Sequence, residues 1–595
     1  MSDNIGSTRD LFNSDAASVK SIVYEMINTG NADIAQQVLE QYALINPADP
    51  EINKIRSILN LKKLKPIEEN NTSDEHCVLK EVETIFVINR IILGRIGIQD
   101  SVLRKVKMME DVWNYRPLIL TCYHNIDQRQ AHIWLQTSGD GKVTMSINTR
   151  ILNVYDYFQN AYAEGLKSKA VYEKTDDVSQ YTEIENSVFD VYEGGTLVRQ
   201  EHFTGYVRSL RMVRNYEKGK KISDFIYDDL GYLNCVREYD SKDENVYQVK
   251  YYTTDGFLCM EAFYNHMDEE KDEPERLIVY DEQGCIIKEC ADRSELAALC
   301  LEQIMLQDKF SIIVIEDGLL SKIATSIDTS KSGRAICEVV HNVFLKDPYN
   351  LNSEPQRFYR NLCDNHSLFD GVILLTEKAK NDFQDIYGEK KSIFVIPHSY
   401  PYEVDKAVFN DRNHKKAVII ARLDPIKQLE HAIYIFSLVV KDVPDARLEI
   451  YGRGEEEDML YEQIQNLGLE NNVFLMGFTD DPVSAIKTAS LFMMTSLAEG
   501  YPLTLVESIC NGCPVFSFDI KYGPSEIVDE GKTGFLFHRF DRERFASKII
   551  AFLKDIDLQR DMSENCYTDA QRFNSVHFLD KWYTMTAALY NRRQQ

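Results

Sequence analysis

Short apolar segments that alternate with helical segments are the feature that most constrains the fold of this chain. Each is apolar on both sides, as are strands of a parallel sheet that helices cover on both faces. In the second half of the chain they lie at Ala417–Ile420, Leu448–Tyr451, Val473–Leu475, Leu491–Met494 and Val515–Phe518. The pattern predicts a doubly wound α/β domain at residues 410–575.

The same pattern occurs earlier in the chain, where it is interrupted. Apolar segments of this kind lie at Ile85–Ile88, Leu118–Thr121, Ile312–Ile315, Ala335–Val340, Val372–Leu375 and Ile393–Ile396. They predict a first Rossmann-like domain built from residues 82–125 and 295–400. Two doubly wound domains that face each other bind ligands in the crevice beyond the carboxyl ends of their strands. We expect the last helix, at residues 576–595, to cross back over this cleft.

Residues 126–290 have a different character. Apolar and polar residues alternate, tyrosines are frequent, and turn sequences such as Glu193-Gly-Gly and Glu217-Lys-Gly recur. This composition is typical of antiparallel strands joined by tight turns. We therefore predict a β-meander inserted into the first domain. Residues 1–75 have the pattern of a helical, tetratricopeptide-like appendage.

The charge and the cysteine content narrow the classes of function. The chain has 595 residues and a formal net charge of −27, and a chain this acidic repels nucleic acid at long range. Its N-terminal sequence lacks the basic and apolar parts of a signal peptide, and no segment approaches the ~18 apolar residues of a membrane span. The 12 cysteines have no regular spacing. We expect a cytoplasmic protein with no transmembrane segment and no bound metal.

Two carboxylates flank a predicted helix start in the second domain. Glu499 and Glu507 lie eight positions apart, and Pro502 between them suits the first position of a helix. The free N–H groups of a helix start bind anions, and phosphate above all. Here those groups would belong to Leu503, Thr504 and Leu505. A phosphate site between two carboxylates matches a sugar nucleotide, in which a diphosphate separates two hydroxyl-rich rings.

Four motifs give the second domain a family resemblance. They are Ala421-Arg-Leu-Asp-Pro-Ile-Lys-Gln-Leu429, Ile450-Tyr-Gly-Arg-Gly454, Val473-Phe-Leu-Met-Gly-Phe478 and the Glu499…Glu507 block. In this order they resemble the retaining glycosyltransferases of the GT-B fold, family 4. The β-rich insertion, with Arg150–Phe158 near its start, resembles the subgroup that glycosylates wall teichoic acid, the poly(glycerol-phosphate) and poly(ribitol-phosphate) glycosyltransferases. The resemblance covers residues 82–590.

The resemblance implies roles for four residues of the second domain. Arg422 and Lys427 would clamp the diphosphate of a UDP-sugar and stabilise its charge without a metal. Glu507 would accept hydrogen bonds from the ribose hydroxyls, and Glu499 would contact the donor sugar near its reacting face. Two roles for Glu499 stay open: an attacking nucleophile, or a group that orients the sugar and stabilises charge during front-side attack, which we favour.

The resemblance also implies donor contacts from other loops. His341, at the end of a strand in the first domain, would hydrogen-bond the donor sugar and its developing charge. A packed structural histidine is the alternative. Glycines at strand ends would let the nucleotide approach the backbone. They are Gly94 and Gly97 in the first domain, and Gly452, Gly454 and Gly477, the last near the uracil, in the second.

A local basic cluster lies within the predicted β-meander. Its members are Arg208, Arg211, Arg214, Lys218, Lys220 and Lys221. A polyol phosphate is a polyanion, so this cluster would suit an acceptor surface; a solvated run of charges is the alternative. In the resembled subgroup the inserted sheet supports self-assembly, so we expect a homo-oligomer or a partner subunit.

The sequence thus predicts a retaining hexosyltransferase at the inner membrane face. It would transfer glucose or N-acetylglucosamine from a UDP-sugar, which is a co-substrate, to hydroxyls of a wall teichoic acid polymer, with no cofactor. One alternative keeps this chemistry but uses Ser/Thr hydroxyls of a surface or secreted protein as acceptor. A second alternative is a catalytically silent scaffold or chaperone of an active partner.

Overall fold

A computed structural model describes most of the chain from residue 77 onward. The appendage predicted at residues 1–75 lies outside the described residues. The chain divides into two compact units: the first extends to residue 313 and includes 322–333, and the second comprises 314–321 and everything from 334. The described residues are 77–91, 98–124, 135, 145–146, 149–159, 181–185, 187–203, 210–228, 232–267, 273–305, 309–327, 333–388, 392–400 and 406–594.

The first unit begins with the β-α-β arrangement that the sequence predicts. β1 (Val82–Ile88), β2 (Leu118–Thr121) and β3 (Arg150–Asn153) pair in parallel. Every residue of β1 and β2 is buried, which explains their largely apolar sequences. The described helices of this unit are α1 (Val78–Glu81), α2 (Ile98–Trp113), α3 (Val154–Phe158), α4 (Arg293–Ile304) and α5 (Ile323–Ser326).

A ten-stranded antiparallel sheet follows, with its strands in sequence order. They are β4 (Tyr181–Glu185), β5 (Val188–Glu193), β6 (Thr196–Phe203), β7 (Leu210–Glu217), β8 (Lys220–Tyr227), β9 (Leu233–Tyr239), β10 (Val246–Tyr252), β11 (Leu258–Met267), β12 (Arg276–Tyr280) and β13 (Ile286–Cys290). The sheet occupies the later part of the range predicted as a meander, because β3 within that range pairs in parallel with β2. The turn Lys218–Gly219 has positive φ at both residues, as two-residue hairpin loops require.

The second unit contains two sets of parallel strands. The boundary between the units falls within β14 (Phe310–Ile315), and β15 (Arg334–Val340), β16 (Gly371–Leu374) and β17 (Ile393–Val395) pair in parallel. Six further strands form a sheet in the order β20-β19-β18-β21-β22-β23. They are β18 (Asn413–Ile420), β19 (Arg447–Tyr451), β20 (Val473–Gly477), β21 (Ala489–Met494), β22 (Val515–Phe518) and β23 (Gly534–Phe537).

The strand order of this six-stranded sheet positions the candidate site. The chain winds outward from β18 to β20 and then returns to β21, which pairs with β18 on its other side. The loops after β18 and β21 therefore diverge from one topological switch point, where doubly wound sheets bind ligands.

The described helices of the second unit are α6 (Arg360–Asp364), α7 (Glu377–Tyr387), α8 (Leu429–Asp442), α9 (Glu457–Asn466), α10 (Pro482–Lys487), α11 (Leu503–Cys510), α12 (Pro524–Ile527), α13 (Arg542–Lys554), α14 (Ile556–Asp569) and α15 (Ser575–Gln594).

Across the described ranges, no helix has both the length and the apolar character needed to cross a bilayer.

Candidate functional site

The two loops at the switch point bring a predicted cation and a predicted carboxylate into contact. Lys427 closes a short 3₁₀ turn after β18, and Glu499 lies in the loop between β21 and α11. The Lys427 Nζ atom is 2.7 Å from Glu499 Oε1, and the Ser496 hydroxyl donates to the same oxygen at 2.7 Å. Both side chains of the ion pair are 18% exposed, so the pair stays accessible to a ligand while its geometry is fixed by neighbouring protein.

Arg422 lies in the same β18 loop and reaches into solvent. Its guanidinium contacts Asp424 at 2.8 Å and is 76% exposed. Asp424 in turn accepts the Ile426 N–H at 3.2 Å and so caps the turn that carries Lys427. Arg422, Asp424 and Ile426 line a cavity of about 460 Å³ together with Arg453, Gly454 and Glu455. The cavity is thus edged by two arginines, which can pair with an anion, and by the carboxylates of Asp424 and Glu455.

The helix start between the two carboxylates differs in one detail from the prediction. Pro502 is the N-cap of α11 rather than its first residue, because its ψ of 95° is extended and the helix begins at Leu503. The Leu505 N–H donates to the Pro502 carbonyl at 3.0 Å, so it is not one of the outward-pointing groups. Leu503, Thr504 and Glu507 are the half-exposed residues of this helix, which places Glu507 on the face that begins at the helix start.

The structure explains why positions 452 and 454 are glycine, which the sequence alone did not show. A Cβ at Gly452 would lie 1.8 Å from the Ala421 carbonyl oxygen, and one at Gly454 would lie 2.2 Å from that of Leu423. Glycine is needed here so that the loop after β19 can pack against the β18 loop that bears Arg422. Gly477 accepts the Gly452 N–H at 2.9 Å and has a φ of +72° with open space around its Cβ position.

His341 follows β15 and is held on three sides. Its Nε2 is 2.8 Å from Glu316 Oε2, a carboxylate with no exposed surface, and its ring stacks on that of His398 with centroids 5.4 Å apart. The Tyr359 hydroxyl accepts its backbone N–H at 3.1 Å. A Cβ at Gly500 would lie 1.9 Å from the His341 carbonyl oxygen, so His341 lies against the loop that carries Glu499.

Glu316 and His398 were not among the predicted site residues, although both carry a signal. Glu316 directly follows the buried strand β14, and His398 lies three residues after β17, a half-buried strand that pairs in parallel with β16. Polar residues at the carboxyl ends of parallel strands are the positions from which such sheets bind ligands. The same rule that selected His341 could therefore have selected both.

The predicted basic cluster is only partly available to a ligand. Arg214 Nε and Nη2 each donate to Asp224 at 2.8 Å, and the Tyr239 hydroxyl donates to the same carboxylate at 2.6 Å. Asp224 raises the pKa of Arg214 and neutralises its charge. Lys218 and Lys220 are exposed at the turn between β7 and β8, whereas Arg211 and Lys221 are half-buried in those strands.

Three predicted site residues have no structural account. Gly94, Gly97 and Arg208 lie outside the described residues. Their roles stay predictions.

Comparison with known proteins supports a glycosyltransferase. Residues 402–569 match the family model described as Glycosyl transferases group 1. The poly(glycerol-phosphate) alpha-glucosyltransferase of Bacillus subtilis (strain 168) is 28% identical over 500 residues, which is 82% of this chain and 72% of the relative. The poly(ribitol-phosphate) alpha-N-acetylglucosaminyltransferase of Staphylococcus aureus (strain COL) is 23% identical over 467 residues, 74% of this chain and 87% of the relative.

A solved structure establishes the fold. A mutant of S. aureus TarM, crystallised with Fondaparinux, alpha-GlcNAc-glycerol and UDP, superposes with a TM-score of 0.70 at 19% identity, covering 85% of this chain and 99% of that one. The predicted α/β class with an antiparallel insertion is confirmed. The chain has the GT-B fold, and within it residues 402–569 match the group 1 glycosyltransferases.

Proposed function

We propose that this chain transfers a hexose from a UDP-sugar to a hydroxyl of a teichoic-acid-type polyol-phosphate polymer, with retention of the anomeric configuration. The observation that carries the proposal is the contact of Lys427 with Glu499 at the switch point, beside the start of α11. The polymer acceptor is supported by relatives whose names specify poly(glycerol-phosphate) and poly(ribitol-phosphate).

In this proposal the diphosphate lies over the start of α11, between Arg422 and Lys427. Negative charge on the leaving phosphate increases as its bond to the sugar breaks, and fixed cations stabilise that charge more in the transition state than in the ground state. The N–H groups of Leu503 and Thr504, at the start of α11, precede its intrahelical hydrogen bonds and point toward the diphosphate. Glu507, half-exposed one turn later, accepts hydrogen bonds from the ribose.

The reacting sugar lies between Glu499 and His341. With Nε2 held by Glu316, the imidazole of His341 keeps one ring plane and can offer its other nitrogen to the sugar. In front-side attack the sugar C1–O bond to phosphate breaks while a C1–O bond to the acceptor hydroxyl forms on the same face. The hydroxyl proton passes to the leaving phosphate oxygen. Glu499 orients the sugar and stabilises positive charge on the ring.

A transfer assay with defined acceptors tests this function. Purified protein receives labelled UDP-glucose or UDP-N-acetylglucosamine with poly(glycerol phosphate), poly(ribitol phosphate) or a Ser-rich peptide. We expect label in one polymer, attached through an α-linkage by NMR. Label in the peptide alone would support the protein-acceptor alternative. The absence of transfer from either donor to any acceptor, with UDP bound, would support the silent scaffold.

We also propose that transfer needs no metal ion, because Arg422 and Lys427 supply the positive charge that a divalent cation would otherwise give to the leaving diphosphate. Excess EDTA should leave the rate of UDP release unchanged. A loss of rate that Mg²⁺ or Mn²⁺ restores would contradict this.

Lys218 and Lys220 are the exposed members of the basic cluster, and we propose that they attract the polymer. The double change Lys218→Ala, Lys220→Ala should raise the KM for polymer about two- to fivefold at low salt, because two exposed charges act mainly through screened attraction. The KM for the UDP-sugar should not change. The matched control is Lys532→Ala, another exposed lysine. If Lys532→Ala raises the KM for polymer as much as the double change does, the basic cluster has no specific part in acceptor binding.

The two ends of the antiparallel sheet are candidate surfaces for assembly. β4 and β13 are the end strands of the antiparallel sheet, and end strands offer unpaired backbone groups to another chain. We propose that the sheet pairs with a second copy or a partner subunit, and that the enzyme works in the cytoplasm near the membrane. Light scattering of the purified chain at several concentrations tests self-assembly.

A further inference from the structure

We infer that Tyr349 is a positioning residue for Glu499, because its phenol joins the two loop segments that hold this carboxylate. The inference rests on the proposed function, which places Glu499 against the donor sugar. It adds a residue from a different loop to that site.

The Tyr349 hydroxyl bridges two backbone groups around Glu499. It donates to the Leu497 carbonyl at 3.3 Å and accepts the Lys521 N–H at 3.1 Å. The Glu499 backbone is bonded to the second of these segments: its N–H donates to the Lys521 carbonyl at 3.1 Å, and its carbonyl accepts the Tyr522 N–H. The phenol therefore ties the segment before Glu499 to the segment that Glu499 itself binds.

The loop that presents Tyr349 is stiffened by its own hydrogen bonds. Asp347 Oδ1 accepts the Tyr349 N–H at 3.0 Å, and the Asp347 N–H donates to the Ser353 hydroxyl at 3.0 Å. At the base of the loop Lys346 pairs with Glu354 through both side chains, at 2.7 Å, and backbone, at 2.9 Å. An exposed tyrosine in a loose loop could not fix a neighbour, whereas one on a braced loop can.

The ring of Tyr349 is held as well as its hydroxyl. The Arg539 guanidinium carbon lies 3.9 Å from the ring centroid, a cation–π contact that remains if only the hydroxyl is removed. This contact makes Tyr349→Phe a clean probe of the two hydrogen bonds.

One loop therefore supplies two constraints on the Glu499 segment. Its first residue is His341, whose carbonyl lies against Gly500, and its Tyr349 hydroxyl bonds Leu497 and Lys521. Between β21 and α11 the chain has no helix or strand of its own, so contacts from other segments set the position of the Glu499 backbone, from which its carboxylate reaches Lys427 and Ser496. The Tyr349 bridge fixes this carboxylate relative to the imidazole of His341.

A double-mutant cycle with Glu499→Gln tests the inference. Tyr349→Phe should lower kcat about three- to tenfold, the range of one ordinary hydrogen bond, and leave UDP affinity unchanged. In the Glu499→Gln background the same change should lower kcat no further, because no carboxylate remains to be oriented. Tyr461→Phe, which removes an exposed hydroxyl on α9, is the matched control and should have no effect.

The other outcomes separate the inference from the proposed function. If Glu499→Gln slows transfer but Tyr349→Phe does not lower kcat, the inference is wrong and the site assignment stands. If the two effects multiply, Tyr349 acts on something other than Glu499, and the inference is also wrong. If Glu499→Gln transfers the sugar at the normal rate, the proposed role of Glu499 is wrong. The inference that Tyr349 positions this carboxylate for transfer is then wrong as well.

Discussion

Replacing Lys427 with alanine should slow hexose transfer by about 100-fold or more, the usual cost of removing one fixed group that stabilises charge in a transition state. The ammonium group lies 2.7 Å from Glu499 in a half-buried position. In the proposed function its removal would take a cation from the leaving diphosphate, and it would leave the Glu499 carboxylate without its cationic partner. The effect should appear mainly in kcat, measured as UDP release at saturating donor and acceptor, because the charge develops only as the bond breaks.

Two further variants make the Lys427 prediction specific. Lys427→Arg keeps the charge and should recover part of the rate, since a guanidinium can also pair with phosphate oxygens. Lys441→Ala removes an exposed lysine from the last turn of α8 and should leave transfer unchanged. Normal transfer by a folded Lys427→Ala protein would exclude the proposed clamp.

The sequence located candidate site residues where these residues come just after a buried strand. Apolar segments located β18 and β15, and the next polar residues were Arg422 and His341, which the structure places in the cavity and against the Glu499 loop. The start of α11 was predicted to within one residue, because apolar helix spacing and Pro502 both mark it. The positions of these residues and of the helix start could be predicted because they depend on local pattern and on a general rule of sheet topology.

Contacts between distant segments could not be predicted in the same way. Lys427 meets Glu499 only because the chain reverses after β20 and places β21 beside β18. Tyr349 lies in a polar loop without periodicity, so nothing in its neighbourhood indicated that its hydroxyl reaches Leu497 and Lys521. Such pairs depend on strand order and loop path, which a single sequence leaves open.

Arg214 shows how a local irregularity can mislead. Its sequence position suggested a surface cation for the acceptor. From the Lys218–Gly219 turn, regular pairing would put Ser223 opposite Arg214, but a register shift between Asn215 and Tyr216 puts Asp224 there instead. The shift turns a candidate ligand contact into a neutralised pair, because a one-residue slip moves every side chain beyond it to the other face.

Replacing Glu338 with glutamine should make the protein less sensitive to rising pH. Glu338 lies in β15 with no exposed surface; one carboxylate oxygen accepts the Ser321 hydroxyl at 2.5 Å, and the other has no partner among the described residues. Burial raises the pKa of this carboxyl to about 8, with a smaller contribution from the nearby charge of Asp317. The folded chain therefore keeps a proton that the unfolded chain releases near pH 4.5.

The sign of the pH effect follows from these two pKa values. Below the unfolded pKa both states of the chain are protonated, and Glu338 contributes nothing to the pH dependence. As the pH rises toward the folded pKa, ionisation favours the unfolded state by about 1.4 kcal/mol per pH unit. Wild-type stability should therefore fall by about 3 kcal/mol relative to Glu338→Gln between about pH 5 and pH 8.

Denaturant unfolding of both proteins over this pH range measures the difference. The amide adds a constant offset from its own unpaired groups, so the informative quantity is the change of the difference with pH rather than its value at one pH. Glu543→Gln, at an exposed position in the first turn of α13, is the control, and its free energy of unfolding should change with pH as that of wild type does. If Glu338→Gln also runs parallel, the carboxyl is ionised in the folded protein, and a cation or water must reach its second oxygen.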